Sequence, residues 1–131
     1  MYEKYLELKK QYQNCIVMLK VGSFYHVYNK DAILMFYFFS YKILENRVGF
    51  PISTLSKVIR FLRKNEINYY VYDEKLEEFE INHYDLFVEK SKEYYQLRSE
   101  IDEIYHYLIT NIERKYMKRL IQKIKEVIDE G

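Results

Sequence analysis

From Tyr84 onward the chain contains neither glycine nor proline until its last residue, Gly131. That absence constrains the fold more than any other feature, because glycine and proline are the strongest local punctuation a backbone has. Over the same stretch Leu97, Ile101, Ile104, Leu108 and Ile112 step by three or four, and Met117, Ile121, Ile124 and Ile128 do so with a shifted phase. Such steps predict long helix. Thr110-Asn111-Ile112-Glu113 matches a capping box, the predicted break point. One continuous rod and a hairpin of two helices both remain open. The division that follows is a head over residues 1–82 and a helical tail over 83–131.

The head alternates element types. Residues 2–12 place Tyr2, Tyr5, Leu6, Leu8 and Tyr12 at mostly helical spacing and predict a short amphipathic helix. CIVMLKVG (15–22) is a compact apolar run with β-branched residues, a buried strand by pattern. Gly22-Ser23 then turns the chain into FYHVYN (24–29), a second strand and a hairpin. Asn29 or Asp31 is positioned to cap a helix over Ala32–Leu44, apolar nearly all round and so buried on several sides; its β-formers leave a strand as the alternative. NRVGFP (46–51) reads as extended, since Phe50 precedes Pro51. Ser53 is the predicted N-cap of a helix over 54–65, with Leu55, Val58, Ile59 and Leu62 inward and Lys57, Arg60 and Lys64 outward. Residues 68–73 and 76–81 read as strands, the second an edge strand.

Composition narrows the function classes. The 131 residues include 21 Lys and Arg against 20 Asp and Glu, a net charge of +1. Bulk charge therefore gives no case for a nucleic-acid binder, and any such case rests on local patches. Charge is arranged in blocks: five acids and one Lys over 73–80, six acids and three bases over 84–103, six bases and one acid over 113–125. These blocks suit either pairing between helices or an ordinary solvated face. No apolar run is long enough for a membrane helix, and no signal-peptide pattern opens the chain, so a cytoplasmic protein is expected.

Enzyme chemistry finds no foothold. Glycines at 22, 49 and 131 cannot build a P-loop. His26, His83 and His106 share no metal-ligand spacing, and the single cysteine, Cys15, sits within an apolar strand run, a core position. No acid/base pair stands out. The chain is expected to be no enzyme and to hold no metal or cofactor.

Several segments, read in order, resemble the N-terminal mismatch-recognition domain of the MutS family. YLELKKQY (5–12) resembles the family's opening helix. IVMLKVGSFYHVYNKDA (16–32) resembles its strand, GDFYE turn-strand and acidic-Ala helix start. VGFPISTLSKVIRFLRKN (48–65) resembles its GxP turn and helix, and YYVYD (69–73) its following strand. The match covers roughly residues 2–74. It implies an α/β fold, a mixed β-sheet flanked by helices, ahead of the long helical C-terminal region. The family's FYE triplet implies an aromatic wedge stacked on a mispaired base, with a carboxylate two residues on that hydrogen-bonds it. Phe24 matches the wedge, Tyr25 the tyrosine and Gly22 the glycine. His26 stands where the family has Glu, and Ser23 where it has Asp. Between the buried helix and the GFP turn the connection is shorter than is usual in the family.

The resemblance implies a non-catalytic nucleic-acid-binding module. Stacking on an aromatic ring contributes about 1–3 kcal/mol per base, so a single wedge needs phosphate contacts beside it. Lys20, Lys30, Arg47, Lys57, Arg60 and Lys64 are the candidates near the wedge; Arg114, Lys115, Lys118 and Arg119 are candidates on the tail. The target would be DNA or RNA, mismatched, damaged or structured. Free-standing proteins of this kind accompany reverse transcriptases in diversity-generating retroelements, so the implied partners include a reverse transcriptase or a repair protein. The tail's apolar stripe needs covering, by folding back on the head, by another copy or by another protein, and self-association is expected. The competing reading is a protein-interaction scaffold that keeps the domain shape without nucleic-acid contact, favoured by His26 and the near-zero net charge.

Overall fold

A computed structural model describes residues 1–130. The element order is α1 (Tyr2–Gln11), β1 (Ile16–Val21), β2 (Phe24–Tyr28), α2 (Asn29–Phe39), β3 (Arg47–Pro51), a 3-10 turn (Ile52–Thr54), α3 (Leu55–Lys64), β4 (Tyr69–Val71), β5 (Lys75–Glu77), α4 (Tyr84–Asn111), a second 3-10 turn (Arg114–Tyr116) and α5 (Met117–Glu130). The strands form one mixed sheet in the order β3-β2-β1-β4-β5. Only the central β1–β4 pair is parallel; the others are antiparallel. This is the α/β architecture, sheet plus helices plus long helical C-terminal region, that the sequence led us to expect. The chain divides into two compact units, Met1–Tyr95 and the residues from Gln96 onward.

The sheet of the first unit is covered on both faces, which is why β1 reads as an unbroken apolar run. On one face Ile16, Met18, Tyr25, Val27, Val48, Phe50, Tyr69 and Val71 pack with Ala32 and Met35 of α2, Val58 and Leu62 of α3, and Tyr84 of α4. On the other, Val17, Leu19 and Tyr28 pack under Tyr5 and Leu8 of α1. Tyr12 stacks on Tyr70 at 4.2 Å, closing the far margin of that second layer. Full burial of each such aliphatic side chain contributes about 1.5–3 kcal/mol.

A buried carboxylate ties the layers together. Asp31 has no exposed surface. It accepts from the Tyr5 hydroxyl at 2.8 Å, the Val17 backbone amide at 3.1 Å and the Tyr84 hydroxyl at 2.5 Å. Lys9 forms an ion pair with it at 3.0 Å, and also donates to the Cys15 carbonyl and the Tyr84 hydroxyl. Burial lowers the Lys9 pKa, and the same burial raises those of Tyr5 and Tyr84. Helix α1, strand β1, helix α2 and the start of α4 thus share one polar hub, satisfied as a buried charge must be.

Four sequence expectations are corrected. Asn29 and Asp31 do not cap α2: its N-cap is Tyr28, Asn29 is its first residue at φ 51°, and Asp31 points into the hub. The helix also stops at Phe39, five residues before Leu44, where Ser40 turns left-handed at φ 60°. Tyr41 and Ile43 then return to the core as non-helical residues, which explains their helix-like apolar pattern. Finally, α3 starts at Leu55 after the 3-10 turn, with Thr54 rather than Ser53 at its N-cap and no side-chain cap bond. The 76–81 edge strand survives only as Lys75–Glu77.

In the second unit the helical stretch does break at the predicted place. The reciprocal capping box is not formed, however. Thr110 Oγ1 donates back to the His106 carbonyl at 2.8 Å and Asn111 Nδ2 to the Tyr107 carbonyl at 2.9 Å, while Glu113 takes extended geometry. The tail is therefore two helices rather than a single rod. No residue of α5 is buried.

Candidate nucleic-acid interface

The β1–β2 hairpin turns through two residues. Val21 pairs with Phe24, leaving Gly22-Ser23 as the loop. Gly22 adopts φ 62°, the left-handed conformation glycine reaches without a side-chain penalty. Its missing Cβ faces open space, so the requirement there is conformational and not steric. The Ser23 carbonyl accepts from the Ile52 amide at 3.1 Å, fastening the hairpin tip to the end of β3.

Strand alternation then sorts the candidate residues. Phe24, His26 and Tyr28 share a face, and their β3 neighbours Pro51, Gly49 and Arg47 share it too. Helix α1 covers Tyr28 but not Phe24, whose ring remains 46% exposed. Phe24 thus stands outward on the face it shares with His26, with Arg47 further along that face opposite Tyr28. Tyr25 and its partner Lys20 face the opposite side. Tyr25 is 2% exposed, stacks on Phe50 and donates to Glu74 at 2.6 Å. Burial and that carboxylate push its hydroxyl up to about 12. The expectation that Tyr25 meets nucleic acid is therefore corrected: its ring belongs to the core. Lys20 is exposed, but it projects from the face that does not carry Phe24.

His26 is partly covered. Burial first, and then the Arg47 guanidinium, hold its imidazole below the ordinary pKa, so the ring is neutral at pH 7. The Tyr28 hydroxyl lies 3.4 Å from Nδ1. Gly49 makes room for the ring: a Cβ there would meet His26 Cδ2 at 3.3 Å and Nε2 at 3.6 Å. A groove of about 430 Å³ runs from Phe24 and His26 past Gly49 to Tyr41, Leu44 and Thr54, with Lys42 and Arg47 on its rim. No carboxylate lines it.

The remaining candidates lie elsewhere. Lys57, Arg60 and Lys64 are exposed on α3, which covers the sheet face opposite Phe24. Lys57 leans over the Phe39 ring at 5.7 Å. Arg114, Lys115, Lys118 and Arg119 are exposed in the second unit, where Lys115 pairs with Glu113 at 3.5 Å. Sequence reasoning missed Tyr41, Lys42 and Leu44, because it placed them inside a helix. The signal that could have found them is the run SYKILEN itself, whose Lys42 and Glu45 fall inside an otherwise apolar pattern.

Cys15 is buried and its thiol is pushed up to about 11 by that burial, the reverse of an activated nucleophile. Among the described residues no group of three or more His, Cys, Asp or Glu side chains could hold a metal ion. None of the described helices is long and apolar enough to cross a membrane.

The site is an outward aromatic ring at a hairpin tip, adjoining a groove whose lining includes Lys42 and Arg47. A family model described as MutS domain I matches residues 1–77. The chain belongs to that family, whose domain is a non-catalytic DNA mismatch-recognition domain. No curated protein matches the chain.

Proposed function

We propose that this protein is a non-catalytic nucleic-acid-binding module, with residues 1–82 as the binding head and 83–131 as a tail for assembly. The observation that carries this is the outward Phe24, 46% exposed at the hairpin tip and lining an acid-free groove that Lys42 and Arg47 also line. An apolar wedge entering a base step costs a few kcal/mol of unstacking, least at a mismatched, damaged or single-stranded site, so such sites are the preferred targets, in DNA or RNA. Phe24 stacks, Gly22 shapes the turn, His26 meets the base edge, and Arg47 takes a phosphate. Lys57, Arg60 and Lys64 add phosphate contacts where the polymer wraps α3, and Arg114, Lys115, Lys118 and Arg119 where it reaches the tail.

The protein acts as an accessory factor in the cytoplasm, beside a reverse transcriptase of a retroelement or a repair protein. Its tail self-associates through exposed apolar faces that include Ile101, Ile104, Ile121 and Ile124. A second reading, a scaffold that has lost nucleic-acid contact, is favoured by His26 in place of a carboxylate and by the net charge of +1.

Binding to homoduplex, mismatched duplex, single-stranded DNA and structured RNA at two salt concentrations separates the two. The module gives salt-dependent affinity that falls about tenfold in Phe24→Ala, the loss of one stacked base. The scaffold binds none of the four.

A further inference from the structure

Helix α3 carries charge of one sign only. No Asp or Glu occurs between Glu45 and Glu66, while Lys57, Arg60, Arg63 and Lys64 all fall on the helix. At 3.6 residues per turn, Lys57, Arg60 and Lys64 lie within about 60° of one another, on the side away from the buried Val58 and Leu62. All three are exposed. Arg63 is turned off this stripe, its Nε donating to both Glu77 carboxylate oxygens at 2.9 and 3.1 Å. The half-buried Phe61 flanks the stripe. Its ring packs against Phe39 at 5.0 Å, and Lys57 leans over that Phe39 ring at 5.7 Å. The connections fix where the stripe runs. Strand β3 ends at Pro51, opposite Phe24, and the Ile52 amide donates to the Ser23 carbonyl, so α3 starts beside the hairpin tip. Strand β4 then starts at Tyr69 opposite Ile16, the end of β1 away from that tip. Helix α3 therefore leads from the tip toward the opposite end of the sheet, about 15 Å for its ten residues, over the face that does not carry Phe24.

We propose that the α3 stripe is a track for single-stranded nucleic acid: a strand leaving a duplex at the hairpin tip runs over Lys57, Arg60 and Lys64 on the back of the sheet. The inference rests on the nucleic-acid-binding reading and names the form of ligand that this helix takes. Stiffness decides the form. A duplex is stiff over about 50 nm, so one held at Phe24 cannot also turn onto the opposite side of a layer one helix thick, about 10 Å. A single strand makes that turn freely. Its phosphates then meet a row of cations and its bases the partly exposed rings of Phe39 and Phe61, the combination that holds single strands without reading their sequence. An acidic polypeptide would pair with the same cations but has no bases to set against those rings.

The test uses the full chain and two DNA duplexes, each with a mismatch beside one end. One is blunt; the other is extended at that end by an oligothymidylate overhang of about ten nucleotides, placed on each strand in turn. The overhang is expected to tighten binding about tenfold and to steepen the dependence of log affinity on log salt by about 2, for three single-strand phosphate contacts. Both differences are expected to vanish in the triple variant Lys57→Gln, Arg60→Gln and Lys64→Gln. The three side chains are exposed, so the variant keeps its fold, read by circular dichroism. Equal binding of blunt and extended duplexes, both weakened by Phe24→Ala, overturns the track and leaves the proposed function standing. An overhang preference that persists in the triple variant overturns it too, since the strand then lies elsewhere. Poly-glutamate that displaces the overhang as well as free oligothymidylate of equal charge does assigns the stripe to an acidic polypeptide instead. Failure of both duplexes and of a free single strand to bind removes the nucleic-acid reading itself.

Discussion

The hydroxyl of Tyr84, first residue of α4, lies 2.5 Å from the carboxylate of Asp31, at the start of α2. This bond fastens the first turn of the long helix to the sheet layers, and it lies beyond residues 1–77, the span matched by the family model. Removing the hydroxyl in Tyr84→Phe leaves a buried carboxylate one donor short, a loss of about 2 kcal/mol. Asp31→Asn is the harsher change. It strips Lys9 of its charge partner in the interior, and breaking a buried pair costs about 3–5 kcal/mol. Urea unfolding followed by circular dichroism measures both. A loss under 1 kcal/mol in Asp31→Asn would remove the carboxylate from its place as hub.

Alkaline pH probes the same hub. Tyr5 and Tyr84 have pKa values raised by burial and by Asp31, and Tyr25 and Tyr69 are pushed up to about 12. A raised folded pKa means that the folded state holds its proton where the unfolded state has released it. The stability these four groups contribute is fully present below pH 10 and is lost as pH rises beyond it. Lys9 acts in the opposite sense, since its lowered pKa adds stability as pH approaches 10.5. Four groups outweigh one. Ionisation of Tyr5, Tyr25, Tyr69 and Tyr84, read by tyrosinate absorbance, is therefore expected to coincide with cooperative unfolding read by circular dichroism. Ionisation of these four while the circular dichroism stays native would contradict it.

The hairpin and the helix of the GFP segment were legible because each has a local cause: an apolar run, a glycine at a left-handed turn, a proline, an amphipathic stripe. Alternation placed Phe24 and Tyr25 on opposite faces, and only the family resemblance implied that Phe24 was the outward one. What the sequence hid has non-local causes. Ser40 ends α2 in a conformation that glycine usually fills, so no residue marks the stop. Asp31 looks like a helix cap and is instead a partner for Tyr5, Lys9 and Tyr84, residues 22 to 53 positions away. Tyr25 and Phe24 are adjacent aromatics, and only the packing of α2 and α3 on one face decides which of them is sealed.

His26 gives the candidate site a pH signature. Its imidazole is held below the ordinary value by burial and by Arg47, so it is neutral at pH 7 and gains its proton only on the acid side of 6.5. Nucleic-acid affinity is expected to be level from pH 7 to 8 and to rise as pH falls through the lowered pKa, when the groove gains a charge. Folding stability moves the other way: the unfolded ring protonates first, so the His26 contribution is lost as pH falls. Arg47→Ala removes one of the depressing charges and shifts the midpoint upward. Proton NMR of the His26 ring in both proteins reads the shift, and an unmoved midpoint rules out the Arg47 cause.

Gly49 is the support of that ring. Gly49→Ala introduces a methyl 3.3 Å from His26 Cδ2, tighter than ordinary contact, so the imidazole must move. The strand tolerates alanine, and φ at this position is not left-handed, so the effect falls on the ring and hardly on stability. The expected outcome is a changed His26 chemical shift and weakened nucleic-acid binding with an unfolding midpoint close to wild type. Gly22→Ala behaves in reverse. Its added Cβ meets nothing, but φ 62° costs an L-residue about 1 kcal/mol, so stability falls and the His26 signal stays in place.

The tail predicts its own measurement. Along α5, Ile121, Ile124 and Ile128 share one stripe and remain 44–68% exposed, while Lys118, Lys123 and Lys125 lie beside them. Helix α4 beyond Gln96 carries Leu97, Ile101 and Ile104 exposed, with Glu100, Asp102 and Glu103 nearby. Acid beside one stripe and base beside the other favour pairing of α4 from one copy with α5 of a second over like-with-like pairing. Sedimentation of the full chain is expected to show concentration-dependent assembly. Ile121→Glu with Ile124→Glu buries charge in that contact and should yield monomer without altering the unfolding of the head, since no residue of α5 is buried. High salt should weaken assembly less than the double variant does, because apolar area dominates and the charges mainly select the pairing. A wild-type chain that stays monomeric across the micromolar to millimolar range would show that these stripes belong to a different partner.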